Sequence, residues 1–235
     1  MIEHRPFGGI GRFRTDWLNA HHHFSFGHYR DPERMGWGAL RVWNDDEVAP
    51  GTGFDPHPHR DMEIVTFVRD GAITHRDDLG NEGVTRAGDV QVMHAGTGIV
   101  HAEYNLETEP TRLFQIWILP DRHGVEPGWA MRQMPREAGS GMQILAGGRA
   151  GDAEAGALPL HADAAVFAAR MAPGEHITYE MGPGRAAYLV APRGSMTVGD
   201  VTAGPRDGVA VRGERDIVIA AGDEETEVVL VDVRE

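Results

Sequence analysis

Residues 53–68 read GFDPHPHRDMEIVTFV, and residues 94–105 read HAGTGIVHAEYN. Both stretches have β character, and each carries two polar residues spaced two apart: His57 with His59, and His101 with Glu103. Side chains two apart on a strand point to the same face of a sheet. If the two strands share one sheet interior, three imidazoles and one carboxylate converge there. Burying such groups without a partner is costly, so the pattern predicts a metal site.

The alternative is that these residues are ordinary polar residues. A single His-x-His pair on a strand is more often a surface or hydrogen-bonded feature than a pair of ligands. Here a second polar pair has the same parity, and glycines and apolar residues flank both pairs. This repetition favours the metal site over the surface alternative.

Composition excludes several classes of protein. A chain of 235 residues can form one large β domain or two smaller ones, and it contains no cysteine for disulfides or thiolate metal sites. A net charge of -14 without a basic stripe argues against direct nucleic-acid binding. The first twenty residues are charged and lack an apolar signal segment, and no apolar run is long enough to span a membrane. We therefore expect a soluble, cytoplasmic protein without membrane contact.

Glycine and proline punctuate the chain, with 31 and 14 residues respectively, and helical periodicity is scarce. This pattern predicts an all-β fold of sandwich or barrel type. The first half contains six predicted strands: 38–43, 62–69, 72–76, 89–93, 99–105 and 111–119. Residues 16–20 are predicted to form a short helix, and the tract His21–His23 that follows is expected to be a structured loop that contributes to packing.

A second β series follows a loop rich in proline, glycine and charge at residues 120–140. Its predicted strands are 142–145, 164–170, 176–181, 185–191, 195–198, 208–211, 216–220 and 227–233. The two halves have a similar spacing of β runs and turns, but the second has only His176 and Thr178 where the first has His57 and His59. We therefore predict a metal-binding domain at residues 1–130 and a degenerate copy without metal ligands at residues 131–235.

Two motifs bracket the proposed ligands. The first is G-x5-H-x-H-x3-E-x7-G from Gly51 to Gly71, and the second is G-x5-H-x-G-x4-H-x3-N from Gly88 to Asn105. The first is one residue longer than the usual cupin motif, and His94 replaces the usual proline of the second. With HRDDLGN and FQIWILP, these strings resemble the pirin family of the cupin superfamily, and most of all the bacterial pirin-like quercetinases.

The resemblance implies a bicupin, in which two β-barrels (jelly-roll, or cupin, domains) pack face to face and the N-terminal barrel holds one metal ion. The family's ligands map onto the four residues already selected by parity: His57, His59, His101 and Glu103. Family members bind iron most often, and nickel, copper, manganese and zinc also occur. Glu63 matches a position that is a ligand in many other cupins but not in pirins. His94 is assigned either to the surroundings of the pocket or to a surface loop.

The resemblance also implies quercetin 2,3-dioxygenase activity, in which O2 opens a flavonol ring and carbon monoxide is released. Glu103 is the predicted catalytic base for the flavonol hydroxyl. Two alternatives stay open: a non-catalytic, metal- or redox-responsive pirin that binds a regulatory protein, and a cupin enzyme of another type, such as an isomerase or hydrolase. Among the other residues, His75 is expected to form a local hydrogen bond, and Trp37, Trp43 and Trp117 are assigned to the core.

Overall fold

A computed structural model describes residues 1–134 and 138–235, and these residues form 22 strands and two 3-10 turns, Phe7–Gly9 and Pro32–Arg34. The predicted all-β class is confirmed. No helix within the described residues is both long enough and apolar enough to cross a bilayer.

The first twelve strands form most of the N-terminal half. They are β1 (Ile2–Arg5), β2 (Gly11–Arg14), β3 (Leu18–His22), β4 (Leu40–Val48), β5 (Thr52–His59), β6 (Glu63–Asp70), β7 (Ala72–Asp77), β8 (Glu82–Arg86), β9 (Val90–His94), β10 (Ile99–Asn105), β11 (Thr111–Ile118) and β12 (Gly128–Arg132). Within the described residues, one sheet has the order β12-β9-β6-β11-β4-β3-β2 and a smaller one has the order β5-β10-β7-β8.

The C-terminal half repeats this plan. Its strands are β13 (Gln143–Gly147), β14 (Leu158–Pro159), β15 (Ala164–Met171), β16 (His176–Glu180), β17 (Arg185–Arg193), β18 (Met196–Val198), β19 (Val201–Ala203), β20 (Gly208–Arg212), β21 (Asp216–Ala221) and β22 (Thr226–Arg234). The described strands pair in the orders β1-β20-β17-β22-β15-β13-β14 and β16-β21-β18-β19. A large and a small sheet in each half give the two-barrel arrangement that the cupin resemblance implies.

The large sheets of the two halves pack against each other. Their facing side chains form one buried apolar cluster that includes Trp43 and Phe114 from the first half and Tyr188 and Val231 from the second. Strand β6 is buried along almost its whole length, because one of its faces lines the barrel and the other meets the opposite half. Its run IVTFV, apolar except for the buried Thr66, is the pattern expected of a strand covered on both faces.

The interiors of the two barrels differ in polarity. The C-terminal barrel is filled by a large apolar cluster that includes Phe167, Leu189 and Leu230. Strand β21 has the same place in its sheet as β10 has in the first half, and it buries Ile217 and Ile219. Among the described residues, the apolar clusters inside the N-terminal barrel are small. Its interior therefore keeps room for polar groups.

Several local predictions are wrong. Residues 16–20 are not helical, because β3 starts at Leu18 and pairs with β4. In the tract His21–His23, the first two residues therefore belong to β3 rather than to a loop and His23 follows the strand, and all three side chains are buried as expected. Strand β12 interrupts the loop predicted at residues 120–140 and pairs with β9. Residues 135–137 of that loop lie outside the described residues.

The division into residues 1–130 and 131–235 stays a prediction, and the strand pairing shows two crossings of it. Strand β1 leaves its own half and pairs with β20 in the C-terminal sheet. Strand β12 runs across residue 130 and belongs to the N-terminal sheet. Local patterns could not reveal either exchange, because the partner strands are distant in sequence.

His23 couples the stability of the packed halves to pH. Its ring is fully buried and its Nδ1 atom lies 2.9 Å from the Tyr188 hydroxyl. Burial lowers the pKa of His23 from 6.5 to about 3. Below pH 6.5, His23 binds a proton in the unfolded chain but stays neutral in the folded chain. Stability from this residue is therefore lost as the pH falls from 6.5 towards about 3.

As the pH is lowered below the pKa of the unfolded chain, we expect the free energy of unfolding to fall in both the wild-type protein and His23→Gln. The fall should be steeper in the wild-type protein, by about 1.4 kcal/mol per pH unit. Urea unfolding between about pH 5 and 7 measures this slope. His176→Gln is the control, because His176 is exposed on β16. A His23→Gln slope equal to that of the wild-type protein would contradict the assignment.

Candidate metal centre

Two neighbouring antiparallel strands, β5 and β10, carry the predicted ligands. His101 lies opposite His57 in the register, and Ile99 lies opposite His59. A register shift follows His101, so that Glu103 lies opposite Phe54. Strand β5 is the edge of its sheet, which explains how the sequence His57-Pro58-His59 can be a strand, since proline cannot donate to a central ladder.

The three histidines converge as their parity predicts. One ligand nitrogen from each of His57, His59 and His101 can be chosen so that all lie within 4.8 Å of one another. The ring centroids are 4.9 Å apart for His57 and His59, 4.5 Å for His57 and His101, and 5.0 Å for His59 and His101. The cluster therefore has the compactness that a single ion requires.

Hydrogen bonds fix the tautomers of two of these rings. His57 Nδ1 lies 2.7 Å from the Asp55 carbonyl oxygen, which only accepts, so this nitrogen donates and Nε2 keeps its lone pair. His101 Nδ1 lies 3.4 Å from His75 Nδ1, and His75 Nε2 lies 2.9 Å from Asp77 Oδ2. Because the Asp77 carboxylate accepts from His75, the His75 Nδ1 atom accepts from His101, and His101 Nε2 also keeps its lone pair.

Burial favours the neutral forms of His59 and His101. It lowers the pKa of His59 to about 4, with a further contribution from His57. It lowers the pKa of His101 to about 2, with contributions from His57 and His59. Within the described residues, His101 Nε2 is buried without a hydrogen-bond partner. Imidazoles with free lone pairs and one orphaned nitrogen are the donor set that a divalent metal ion fits.

Glu103 lies beside this cluster but is not one of the three close nitrogen donors. Its carboxylate forms a second compact group with His75 and His101. Gln91 Nε2 donates to its Oε1 at 2.6 Å, and Gln115 Nε2 donates to its Oε2 at 2.7 Å. Burial raises the pKa of Glu103 to about 7 against these hydrogen bonds. Its roles as fourth ligand and as base stay predictions.

A cavity of about 440 Å³ opens onto the imidazoles of His57 and His59. Its walls are largely aromatic and include Phe13, Trp17, Phe26, Tyr29, Phe54 and Trp117. The assignment of Trp117 to the core is confirmed only in part: this side chain packs against a small buried apolar cluster, but it also lines the cavity and packs edge-on against His59 at 5.0 Å. Trp37 and Trp43 are buried in the core as predicted. The cavity has the size and character of a small-molecule site.

His94 and Glu63 belong to another part of the molecule. His94 is buried on β9, so the surface-loop assignment is wrong, and it does not line the cavity. Its Nδ1 atom donates to Glu63 Oε2 at 2.5 Å, and the His161 backbone nitrogen donates to the same oxygen at 3.1 Å. Glu63 thus connects the two halves of the molecule.

Comparisons with known proteins agree with the two-barrel fold. Residues 4–118 match the Pirin family, and residues 149–233 match the quercetinase C-terminal cupin domain. A Pseudomonas aeruginosa protein, provisionally named a quercetin 2,3-dioxygenase, is 56% identical over 99% of this chain and 100% of its own. The chain belongs to the pirin family.

Two other relatives of this pirin connect the family to chemistry. A protein of Escherichia coli K12 named quercetin 2,3-dioxygenase is 38% identical, with 99% of each chain covered. The crystal structure of an Escherichia coli pirin in complex with nickel(II) is 37% identical and covers 100% of this chain and 99% of that chain, with a TM-score of 0.93. The histidine cluster described above could thus hold a metal in a family with a nickel-bound member.

Sequence reasoning missed the relation of His75 to the cluster. The expected local hydrogen bond is confirmed, with Asp77 as its partner, but the ring also contacts His101 and stacks on Trp129 at 4.9 Å. The available signal was parity, because His75 and Asp77 are two apart on β7 and therefore point to one face. Their partner strand could not be read from the sequence.

We expect His75→Phe to weaken metal binding by about 10- to 100-fold, because phenylalanine keeps the stacking on Trp129 but cannot accept from His101. Equilibrium metal titration of the metal-free proteins measures the effect. His123→Phe is the control, since His123 is exposed. Unchanged affinity in His75→Phe would show that His75 does not orient His101.

Proposed function

We propose that this pirin is a metal-dependent dioxygenase of the quercetin 2,3-dioxygenase type. In this proposal one divalent ion, Fe(II) first and Ni, Cu, Mn or Zn as alternatives, is held by four residues: His57, His59, His101 and Glu103. The observation that carries the proposal is the position of Glu103, a buried carboxyl between two glutamine amides and beside His101. The neighbouring cavity gives a substrate access to the imidazoles.

The openness of the site supports a catalytic role. A structural metal site is closed by its protein ligands, whereas a catalytic site keeps positions open for substrate. His57 and His59 line the cavity, so a bound molecule can reach the centre of the cluster. When bound, the ion supplies Lewis acidity and open coordination positions for substrate oxygen atoms and O2.

The proposed task of Glu103 is to accept the proton of the flavonol 3-hydroxyl group. The two glutamine amides donate to its two oxygens, and this favours the carboxylate form and fixes its orientation. Burial acts in the opposite direction and brings the pKa of Glu103 to about 7. A base poised near neutrality transfers protons efficiently in both directions. Removing the proton makes the flavonol electron-rich, so that its central ring can react with O2. Ring opening then places both oxygen atoms of O2 in the product and releases one ring carbon as carbon monoxide.

The walls of the cavity would hold the ring system of a bound flavonol in place. Trp17 and Phe54 meet edge to face at 5.1 Å, and Trp117 packs against His59 on the side of the cluster. These apolar surfaces exclude water and accept a flat aromatic molecule. Oriented binding of this kind brings the 3-hydroxy-4-keto edge of a flavonol to the polar end of the cavity.

The test is turnover by protein loaded separately with Fe(II), Ni(II), Cu(II) or Mn(II). We expect quercetin consumption, measured as loss of its absorbance, to match O2 uptake and carbon monoxide release in molar amount. Without O2 we expect no reaction. Metal-free protein is the control. Absence of O2-dependent loss with all four ions bound would overturn the proposal and favour the non-catalytic regulator.

A further inference from the structure

The two neighbouring aspartates of β4 have opposite surroundings. Asp45 is buried with two guanidinium partners, Arg69 and Arg206. Asp46 points to the other face, as the next residue on a strand must, and lines the cavity beside the imidazoles. It is only 2% exposed, and its Oδ1 atom has no hydrogen-bond partner in the part of the chain that the structure describes.

An unpartnered buried carboxyl oxygen is costly, because it has lost the hydrogen bonds that water would give it. Buried polar atoms are therefore nearly always satisfied by protein, water or a ligand. The residue two positions earlier on the same face, Asn44, has its own partner, since its Oδ1 atom lies 2.8 Å from His22 Nδ1. Asn44 is thus satisfied within the protein, whereas the Oδ1 atom of Asp46 has no partner among the described residues.

A hydroxyl group is the complement that Asp46 requires. A hydroxyl both donates and accepts, so it satisfies this carboxyl in either protonation state. The aromatic walls beside Asp46 suit an aromatic ring. A hydroxylated ring would bury its flat faces against these walls and its hydroxyl against Asp46.

We propose that Asp46 is a specificity-determining residue that bonds a ring hydroxyl of the substrate and so selects polyhydroxylated aromatic compounds. This inference rests on the proposed function, which identifies the 3-hydroxy-4-keto edge of the substrate as the part that faces the metal. It adds a second point of recognition, separate from the metal edge. Selection at such a point is strong, because an analogue without the hydroxyl leaves a buried carboxyl unpaired.

The experiment compares anaerobic binding of two probes by the metal-loaded protein. Quercetin and 3-hydroxyflavone share the 3-hydroxy-4-keto edge, and only quercetin carries further ring hydroxyls. We expect the wild-type protein to bind quercetin about 10- to 100-fold more tightly. Asp46→Leu should abolish this preference, and Asp46→Asn, which still donates and accepts, should keep part of it.

Glu47→Gln is the matched control, because Glu47 lies on the same strand but pairs with Arg112 at the surface. Metal content and urea unfolding of each variant establish that it is folded. Equal affinities for the two probes in the wild-type protein, or a preference that survives in Asp46→Leu, would overturn the inference and leave a water molecule as the partner of Asp46.

The two proposals fail separately. An Asp46-dependent preference without O2-dependent turnover would refute the dioxygenase and retain the subsite. Turnover of quercetin combined with an unchanged preference in Asp46→Leu would refute the subsite and retain the dioxygenase.

Discussion

Replacement of Glu103 by glutamine is expected to lower kcat for quercetin by about 100- to 10,000-fold, which is the usual contribution of a positioned general base. Glutamine has nearly the same shape, so it can fill the space between Gln91 and Gln115. It cannot take up the proton of the flavonol hydroxyl. Because three imidazoles remain and the amide oxygen of glutamine can still coordinate, most of the metal should stay bound at saturating metal concentration, and the loss should appear in kcat rather than in metal content.

The measurement pairs steady-state kinetics with metal analysis of the same samples. Glu82→Gln is the control, since Glu82 lies on the same small sheet but is exposed and paired with Arg76. Full activity of metal-loaded Glu103→Gln would refute the base assignment. Loss of activity in proportion to lost metal would instead make Glu103 a ligand without a separate proton-transfer role.

Replacement of His101 by alanine is expected to weaken metal binding by more than about a hundredfold and to abolish turnover. A four-ligand zinc site is worth about 10–16 kcal/mol, or on the order of 3 kcal/mol for each ligand. His101 is the most buried of the three clustered imidazoles, and its Nε2 atom is buried without a hydrogen-bond partner among the described residues. Its removal takes away the nitrogen donor that Asp77 and His75 orient through hydrogen bonds.

Thermal unfolding gives a readout that does not depend on activity. A ligand that binds only the folded state raises its stability by about 2.7 kcal/mol at a hundredfold excess over Kd. Added metal should therefore raise the Tm of the wild-type protein and of His176→Ala, but leave that of His101→Ala almost unchanged. An equal metal-dependent shift in His101→Ala would place the metal elsewhere.

Much of the site could be predicted because parity is a local property of strands. The alternation that places His57 and His59 on one face needs only the β conformation, and short runs between glycines indicate that conformation. Likewise, the lack of a second histidine near His176 pointed to a half with a different interior. The family motifs then supplied the pairing that local patterns leave open.

The remaining features depend on contacts between residues distant in the chain. The link from Asp77 through His75 to His101 exists because β7 and β10 are neighbours. The exchange of β1 into the C-terminal sheet and the lining of the cavity by Trp117 have the same origin. No periodicity in β4 distinguishes Asp45, which two arginines neutralise, from Asp46, whose Oδ1 atom lacks a partner in the described residues.

The sequence by itself therefore determined the all-β class, the face on which the ligand pairs lie and the family of the fold. The tertiary structure alone decided which neutral nitrogen is orphaned, which carboxyl faces the cavity and which aromatic side chains surround it. The physical reason is that side-chain direction follows from backbone conformation at each residue, whereas burial and hydrogen bonding follow from which strands pack together.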